Sequence, residues 1–432
     1  MSIVKRIGVV VLVLAVSALA LIGLLQMTRG TPIELVLAKD AGAGPPPPAD
    51  SLFLRTMELY TGTHVEPGNR VDVLLNGDGT HPPLWRDLAS AQRTITVQMY
   101  YSQPGAIADS MAAVLEERAR AKVRVLVLLD AFGSQNLTQE WRDGLTGAGV
   151  ELREFRPKRW YELHKLQNRS HARVVVVDGR VGYTGGFGLA DYWQGDGRSA
   201  EEWRETNVRF EGPSVAQLQA AFAAGWAEAS GELLTGDAFF PPHSFADAGG
   251  VQAGLMHTLP TVGSTPAERF LFLSIAGARQ RLYIANSYFV PDDDLRGVLA
   301  RAAQRGVDVR ILTAGPKTDI KSTYYAGRAR YEELLKAGVR VYEYRPTMMH
   351  AKSMVVDGLW STIGSMNFDN RSIALNNESN LVTLDPKVGA TLDSVFLEDL
   401  RFSKEITLAE FGQRPWYHRV LERGSTLLSR IL

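Results

Sequence analysis

Apolar and polar positions divide the chain into segments that recur in the same order. "TITVQMYY" (94–101) and "VRVLVLLD" (123–130) are short apolar runs bounded by polar and turn residues, as buried strands are. Between them, "IADSMAAVLEERARA" (107–121) carries apolar residues at helical spacing. The order returns with "RLYIANSYF" (281–289), "DDLRGVLARAAQRG" (293–306) and "VDVRILTA" (307–314). Strand, helix and strand in alternation predict right-handed βαβ units, an α/β class and mainly parallel sheets.

A third pair of segments extends the repeat. "SHARVVVVDGRVGYTGGFGLADYW" (170–193) reads like a copy of "MMHAKSMVVDGLWSTIGSMNFDNRS" (348–372). Arg93 and Arg279 are 186 positions apart, and His171 and His350 are 179 apart, so one loop indel separates the two copies. A repeat of this size is a duplicated domain, not a solenoid. The expected halves are 53–245 and 246–432, divided near the turn-rich "PPHSFADAGG" (241–250).

The first thirty residues stand outside this repeat. Lys5 and Arg6 precede an uncharged, mostly apolar run from Ile7 to Met27. Such a run is about long enough to span a bilayer as a helix, and it lacks a convincing signal-peptide cleavage site. We therefore expect a retained transmembrane anchor over 1–30, with its positive end inside and the body on the extracytoplasmic side. Residues 31–52 include four consecutive prolines and read as a stiff linker.

Composition narrows the function. Lys plus Arg and Asp plus Glu both number 47, so the net charge is zero and a protein built to coat nucleic acid is disfavoured. The absence of cysteine excludes disulfides, thiol chemistry and cysteine-ligated metals.

Candidate chemistry lies in the third pair of segments. His350 and Lys352 are two apart and share one face of a strand. Asp357, seven residues on, falls at the strand end, where it can brace a loop or pair with a base. Gly364–Asn367 adds a tight turn, a hydroxyl and an amide. A cation, hydrogen-bond donors and a base or nucleophile together suit a tetrahedral anion. One copy alone is equally well explained by a core histidine and a snorkelling lysine. The first copy, however, repeats the spacing with His171, Arg173 and Asp178. Two histidines retained in halves that otherwise differ in most side chains argue for chemistry.

The pattern H-x-K-x4-D followed by G-S-x-N resembles the phospholipase D superfamily, over nearly all the chain after Ser51. "SYFVPDDDL" (287–295), "EWRETNVRFEGPSVAQLQAAFAAGW" (202–226) and the apolar N-terminus most resemble the bacterial cardiolipin synthases. The resemblance implies two phospholipase D-like halves packed as a pseudo-dimer, with both motifs at one interfacial site. One histidine forms a covalent phosphohistidine and the other serves as acid and base. Neither a metal nor another cofactor is implied, and Lys352 and Arg173 supply the cations. The family pattern points to His171 as nucleophile and His350 as acid–base, with the reverse still open. It pairs His171 with Glu378 and His350 with Glu205 across the interface. It counts Asp178 and Asp357 within the catalytic motifs, and Gly185, Gly186, Ser365 and Asn367 as substrate-binding. Three positions depart from the family: Arg173 for lysine, Gly188 for asparagine and Asn207 for histidine.

The function this implies is a membrane-anchored phosphatidyltransferase of the bacterial inner membrane, making cardiolipin from phosphatidylglycerol or a related phospholipid. The expected partners are phospholipid and membrane, not nucleic acid. Phospholipid hydrolysis, a tethered nuclease and an inactive lipid-binding homologue are the alternatives. Three further segments have two readings each. The basic, aromatic stretch 156–170 reads as a headgroup-binding or plain surface loop. Residues 323–338 read as an entrance lining or a solvated helix face, and 414–432 as an interfacial or a docked helix. His64, His81, His164, His243, His257 and His418 show no paired spacing and receive no role.

Overall fold

The computed structural model describes residues 3–27, 33, 44–157, 167–260 and 263–427, with side chains of the first helix given at 5–21 and those of 244–245 omitted. Most of the segment 156–170 and the end of 414–432 therefore lie outside the described residues.

The first half contributes β1 (Glu66–Leu75), β2 (Thr94–Met99), β3 (Arg124–Asp130), β4 (Glu151–Phe155), β5 (Val174–Val177), β6 (Val181–Gly185) and β7 (Thr206–Glu211). The second contributes β8 (Val251–Thr258), β9 (Arg281–Asn286), β10 (Asp308–Ala314), β11 (Arg340–Tyr344), β12 (Lys352–Val356), β13 (Trp360–Gly364), β14 (Glu378–Leu384) and β15 (Ser403–Ile406). Among the described residues these form one fifteen-stranded sheet, ordered 15-11-10-9-12-13-14-8-1-7-6-5-2-3-4. Apart from β15, the order is a palindrome about the β8–β1 junction, so the duplication read from sequence becomes a symmetric sheet.

The expectation of mainly parallel sheets is wrong. Parallel pairing is confined to β2–β3–β4 and β9–β10–β11; every other neighbouring pair is antiparallel. The cause is local. Asp178–Gly179 and Asp357–Gly358 all have positive φ, at 52°, 61°, 54° and 67°. The amides of Arg180 and Leu359 close these turns onto Val177 O and Val356 O. Two consecutive positive φ values make a primed turn, whose twist matches a hairpin. Each histidine motif thus folds back on itself as β5–β6 or β12–β13.

The βαβ units themselves stand as read, with helices Ala106–Arg120 and Asp293–Gln304 crossing between parallel strands. Their apolar faces pack on separate cores: Met111 and Leu115 against Val97 and Val127, and Leu295 and Leu299 against Ile284 and Ile311. A third core joins the halves, with Val174, Val176, Phe210 and Trp226 meeting Leu255, Val355, Ile363 and Leu381. Burial of side chains this large contributes about 1.5–3 kcal/mol each, so the halves are held together by core, not by a wet interface.

A helix covers Ile3–Met27. Among the described residues no helix is long and apolar enough to cross a membrane, so the expected anchor is not supported at this level. The proline run does not swing free along its whole length: Arg279 Nη2 donates to Pro45 O at 2.7 Å, pinning it to the second half.

Candidate active site

Two short backbone bridges bring the halves' motifs together. Ser170 pairs with Asn377, and Arg204 pairs with Met349. The amide of His171 donates to Asn377 O at 2.9 Å, and that of His350 to Arg204 O at 2.7 Å. Each histidine therefore lies beside the residue that precedes the other half's glutamate. Arg204 is fixed in turn by a buried ion pair across the halves, its Nη2 2.8 Å from Asp399 Oδ2.

The side chains follow from this register. His171 Nδ1 lies 2.9 Å from both oxygens of Glu378, and His350 Nδ1 lies 2.6 Å from Glu205 Oε2. An acceptor on Nδ1 fixes the tautomer and leaves Nε2 for chemistry. All four side chains are buried, and both histidines line one cavity of about 490 Å³. Volumes of this order suit a ligand that is largely enclosed. The lining also includes Arg173, Asn367, Tyr100, Tyr288, Trp193 and Trp203.

Burial sets the electrostatics. Desolvation, reinforced by Arg173 and Lys352, holds the His171 imidazolium well below its usual range. Desolvation and then Lys352 push His350 down to about 4. Lys352 is itself pushed down to about 7, first by burial. The two carboxylates then differ. Burial raises Glu378 to about 7. Burial also opposes the charge on Glu205, but His350 and Lys352 outweigh it and hold that group below the usual range. The site thus disfavours an extra positive charge, and an anion beside the two histidines would supply the counter-charge that lets an imidazolium form.

Lys352 Nζ donates to Ser287 Oγ at 2.8 Å and sits 3.1 Å from both ring nitrogens of His350. Ser287 Oγ passes the network to Asn367 Oδ1 at 2.9 Å. Arg173 is equally buried, donates to His171 O and to Phe187 O, and stacks over Tyr100. Both basic side chains are therefore buried beside the histidines.

Other expected residues lie elsewhere. Asp178 accepts the amides of Gln92, Arg93 and Thr94 at 2.7–2.9 Å. Asp357 does the same for Arg279, Gln280 and Arg281. Each ties its hairpin turn to the start of the neighbouring parallel strand, away from the cavity, so bracing replaces the expected catalytic place. Gly185 and Gly186 do not line the cavity either. The Gly186 amide is taken by Asn207 Oδ1 at 3.1 Å, and a Cβ at Gly186 would stand 2.4 Å from a Glu205 oxygen. Close packing on Glu205, not phosphate binding, requires glycine there. Ser365 donates its hydroxyl to Glu378 and so positions that acid instead of facing substrate. Of the four expected substrate-binding positions, Asn367 alone lines the cavity.

The departures in the first half compensate one another. Where Ser365 holds Glu378, the first copy has Gly186 and no hydroxyl. Trp193 takes over, donating its indole N–H to Glu205 Oε2 at 3.1 Å. Trp193 fits because position 188 is glycine: a Cβ there would meet the Trp193 ring at 2.9 Å and Tyr101 O at 2.7 Å. Asn207 and its counterpart Asn380 play matching parts, each accepting loop amides on Oδ1.

Several lining residues were not expected. Tyr100 packs edge-on to His171 with ring centroids 5.0 Å apart, and Trp193 and Trp203 flank His350 at 5.4 and 5.0 Å. Tyr288 donates to Asp319 at 2.8 Å. The duplication held a signal for Tyr288, since Tyr101 and Tyr288 stand two residues past the equivalent strands β2 and β9 and both line the cavity. Asp319 and Trp203 arrive from loops with no repeated counterpart, and Trp193 stands where the second copy has Ser372, so the repeat gives no aromatic signal there.

A family model described as "Cardiolipin synthase, PLD-like domain" matches residues 84–226 and 271–400. The chain is 36% identical over 375 residues to a cardiolipin synthase of Geobacillus kaustophilus, covering 86% of this chain and 74% of that one. It is 33% identical over 384 residues to cardiolipin synthase A of Pseudomonas syringae, covering 88% and 78%. Among solved structures, a phosphatidylserine synthase of Haemophilus influenzae superposes with a TM-score of 0.68 at 14% identity, covering 88% of this chain and all of that one. That likeness concerns the fold.

Proposed function

The chain belongs to the phospholipase D-like cardiolipin synthase family and is a phosphatidyltransferase; from that premise we propose that it joins two phosphatidylglycerol molecules into cardiolipin and glycerol. One observation carries the reading: two buried histidine–glutamate pairs, each built across the halves, present both imidazoles to one cavity that Arg173 also lines, with Lys352 3.1 Å from the His350 ring.

In this reading His171 Nε2 attacks the donor phosphorus while Glu378 holds the proton on Nδ1. The P–O bond to the glycerol headgroup breaks, and His350 gives that oxygen a proton. A phosphatidyl group is left on His171. The headgroup hydroxyl of a second phosphatidylglycerol then returns a proton to His350 and attacks phosphorus, releasing His171. Lys352 and Arg173 balance the phosphoryl charge as it shifts between oxygens. His171, His350, Arg173, Lys352, Glu205 and Glu378 carry the reaction, with Asn367 as a substrate contact, and the halves 53–245 and 246–432 act as one unit.

We also assign attachment to the bilayer to the helix Ile3–Met27. Its large apolar side chains from Ile7 to Leu21 are all at least half exposed, a patch that water tolerates poorly. With Lys5 and Arg6 inside, the body lies outside the cytoplasm.

Mass spectrometry of lipids from a cardiolipin-deficient bacterial host tests the reaction. Cardiolipin is expected with the native chain and not with His350→Ala. A rise in phosphatidic acid without cardiolipin would replace transfer by hydrolysis, and an unchanged lipid profile from well-expressed protein would refute catalysis.

A further inference from the structure

The C-terminal helix Trp416–Thr426 is docked the wrong way round for a water-soluble surface. An amphipathic surface helix ordinarily turns its apolar stripe to the core. Here the polar side is inward. Glu422 is 2% exposed and receives Arg414 at 2.9 Å and Arg328 at 3.7 Å. His418 packs against Tyr325 with centroids 5.6 Å apart. Trp416, Tyr417, Val420 and Leu421 face away, 76%, 50%, 58% and 44% exposed, and Leu427 follows at 81%. At about 100° per residue these five side chains span one arc of roughly 140°. Arg419 and Arg423 border it on one flank, both exposed.

The helix also stands beside the cavity mouth. It packs on the helix Lys321–Arg328, whose residue Thr323 lines the cavity along with the preceding Ile320. Ile320 is itself 42% exposed. The apolar arc therefore lies on the helix that packs directly on the cavity's Lys321–Arg328 wall.

We propose that this face is a bilayer-docking surface, which seats the cavity mouth on anionic phospholipid. The aromatic and aliphatic side chains enter the headgroup–acyl boundary, and Arg419 and Arg423 meet lipid phosphates at its edge. The buried Glu422 pair keeps the helix from rolling its apolar face inward. The choice of occupant rests on the lipid-substrate reading of the cavity and on the basic flank.

The absence of native cysteine allows one environment-sensitive dye to be placed at will. Full-length protein carrying Trp416→Cys is labelled and bound to phosphatidylglycerol vesicles, with Gln92→Cys, at the opposite end of β2 from the cavity, as control. The dye at 416 should shift to the blue and be quenched by lipid-borne quenchers, while the dye at 92 stays water-like. Equal, water-like emission at both sites on bound protein overturns the proposal. So does a blue shift at 416 that needs no lipid and grows with protein concentration, since a second copy of the chain would then be the occupant.

The paired variant Val420→Asp/Leu421→Asp gives the functional readout. Turnover of vesicle phosphatidylglycerol should fall at least tenfold, with turnover of short-chain, water-soluble phosphatidylglycerol unchanged within twofold. Equal loss on both substrates counts against a docking role. If the native chain turns over neither lipid, the catalytic reading fails, and the dye at 416 still decides the docking surface.

Discussion

Replacing Glu205 by glutamine removes one charge and almost no volume. Glu205 Oε2 stands 2.6 Å from His350 Nδ1 and also accepts Trp193 Nε1 at 3.1 Å, while Oε1 accepts the Thr206 amide at 3.0 Å. All these contacts are buried. When His350 is an imidazolium, its charge and that of Glu205 are about 4 Å apart. At an effective dielectric of about 20 their attraction is about 4 kcal/mol. Losing that term only when His350 is charged raises the barrier of the steps that protonate it by about three powers of ten. Glutamine also turns an N–H2 toward one of three donors, which costs stability by about 1–3 kcal/mol. Stopped-time cardiolipin assays on folded protein, verified by circular dichroism and thermal melting, should therefore give kcat lowered about a thousandfold. A variant within tenfold of the native rate, with an unchanged melting curve, would refute the role assigned to this pair.

Three further expectations use the same geometry. Glu378→Gln should cost less at pH 6 than at pH 8: burial raises Glu378 to about 7, so its native charge is largely absent below that pH, and the rate ratio of native to variant should grow as pH rises. Lys352, lowered to about 7 by burial, keeps its charge below that pH and loses it above. kcat/KM should thus fall on the basic side, and Lys352→Arg should shift that limb upward by more than one pH unit. Asp178→Ala removes an acceptor shared by three backbone amides and leaves a non-glycine residue at φ 52°; it should lower stability by about 2–4 kcal/mol in denaturant titrations while the folded fraction keeps its specific activity.

The parts of the site that repeat were legible in the sequence. His171 and His350 and their basic partners two residues on sit at matched places in the two copies, and the family resemblance supplied the two glutamates. The backbone bridges at Asn377 and Arg204 turn those places into contacts. The parts that do not repeat were hidden. Trp193 reaches Glu205 only because Gly188 leaves room for it, and no spacing rule links an indole to a carboxylate twelve residues on. Strand direction was misread for another reason. Alternating βα segments fix parallel pairing inside each unit, but "VVVVDGRVGY" carries an Asp-Gly hairpin turn that outweighs it locally. The buried run Val174–Val177 has no period to reveal its direction, because both its faces are covered.

The crossing of the pairs has a consequence for synthesis. The chain leaves the ribosome from its N-terminus, so His171 is made more than two hundred residues before the glutamate that orients it. A nascent or truncated chain that ends before His350 holds a first half whose histidine has no buried acid beside it, and whose own Glu205 awaits His350. Neither pair exists until the second half has docked. A partly made polypeptide next to a membrane therefore has no means of cleaving the lipids around it, and reactivity begins only when both halves have been made and docked.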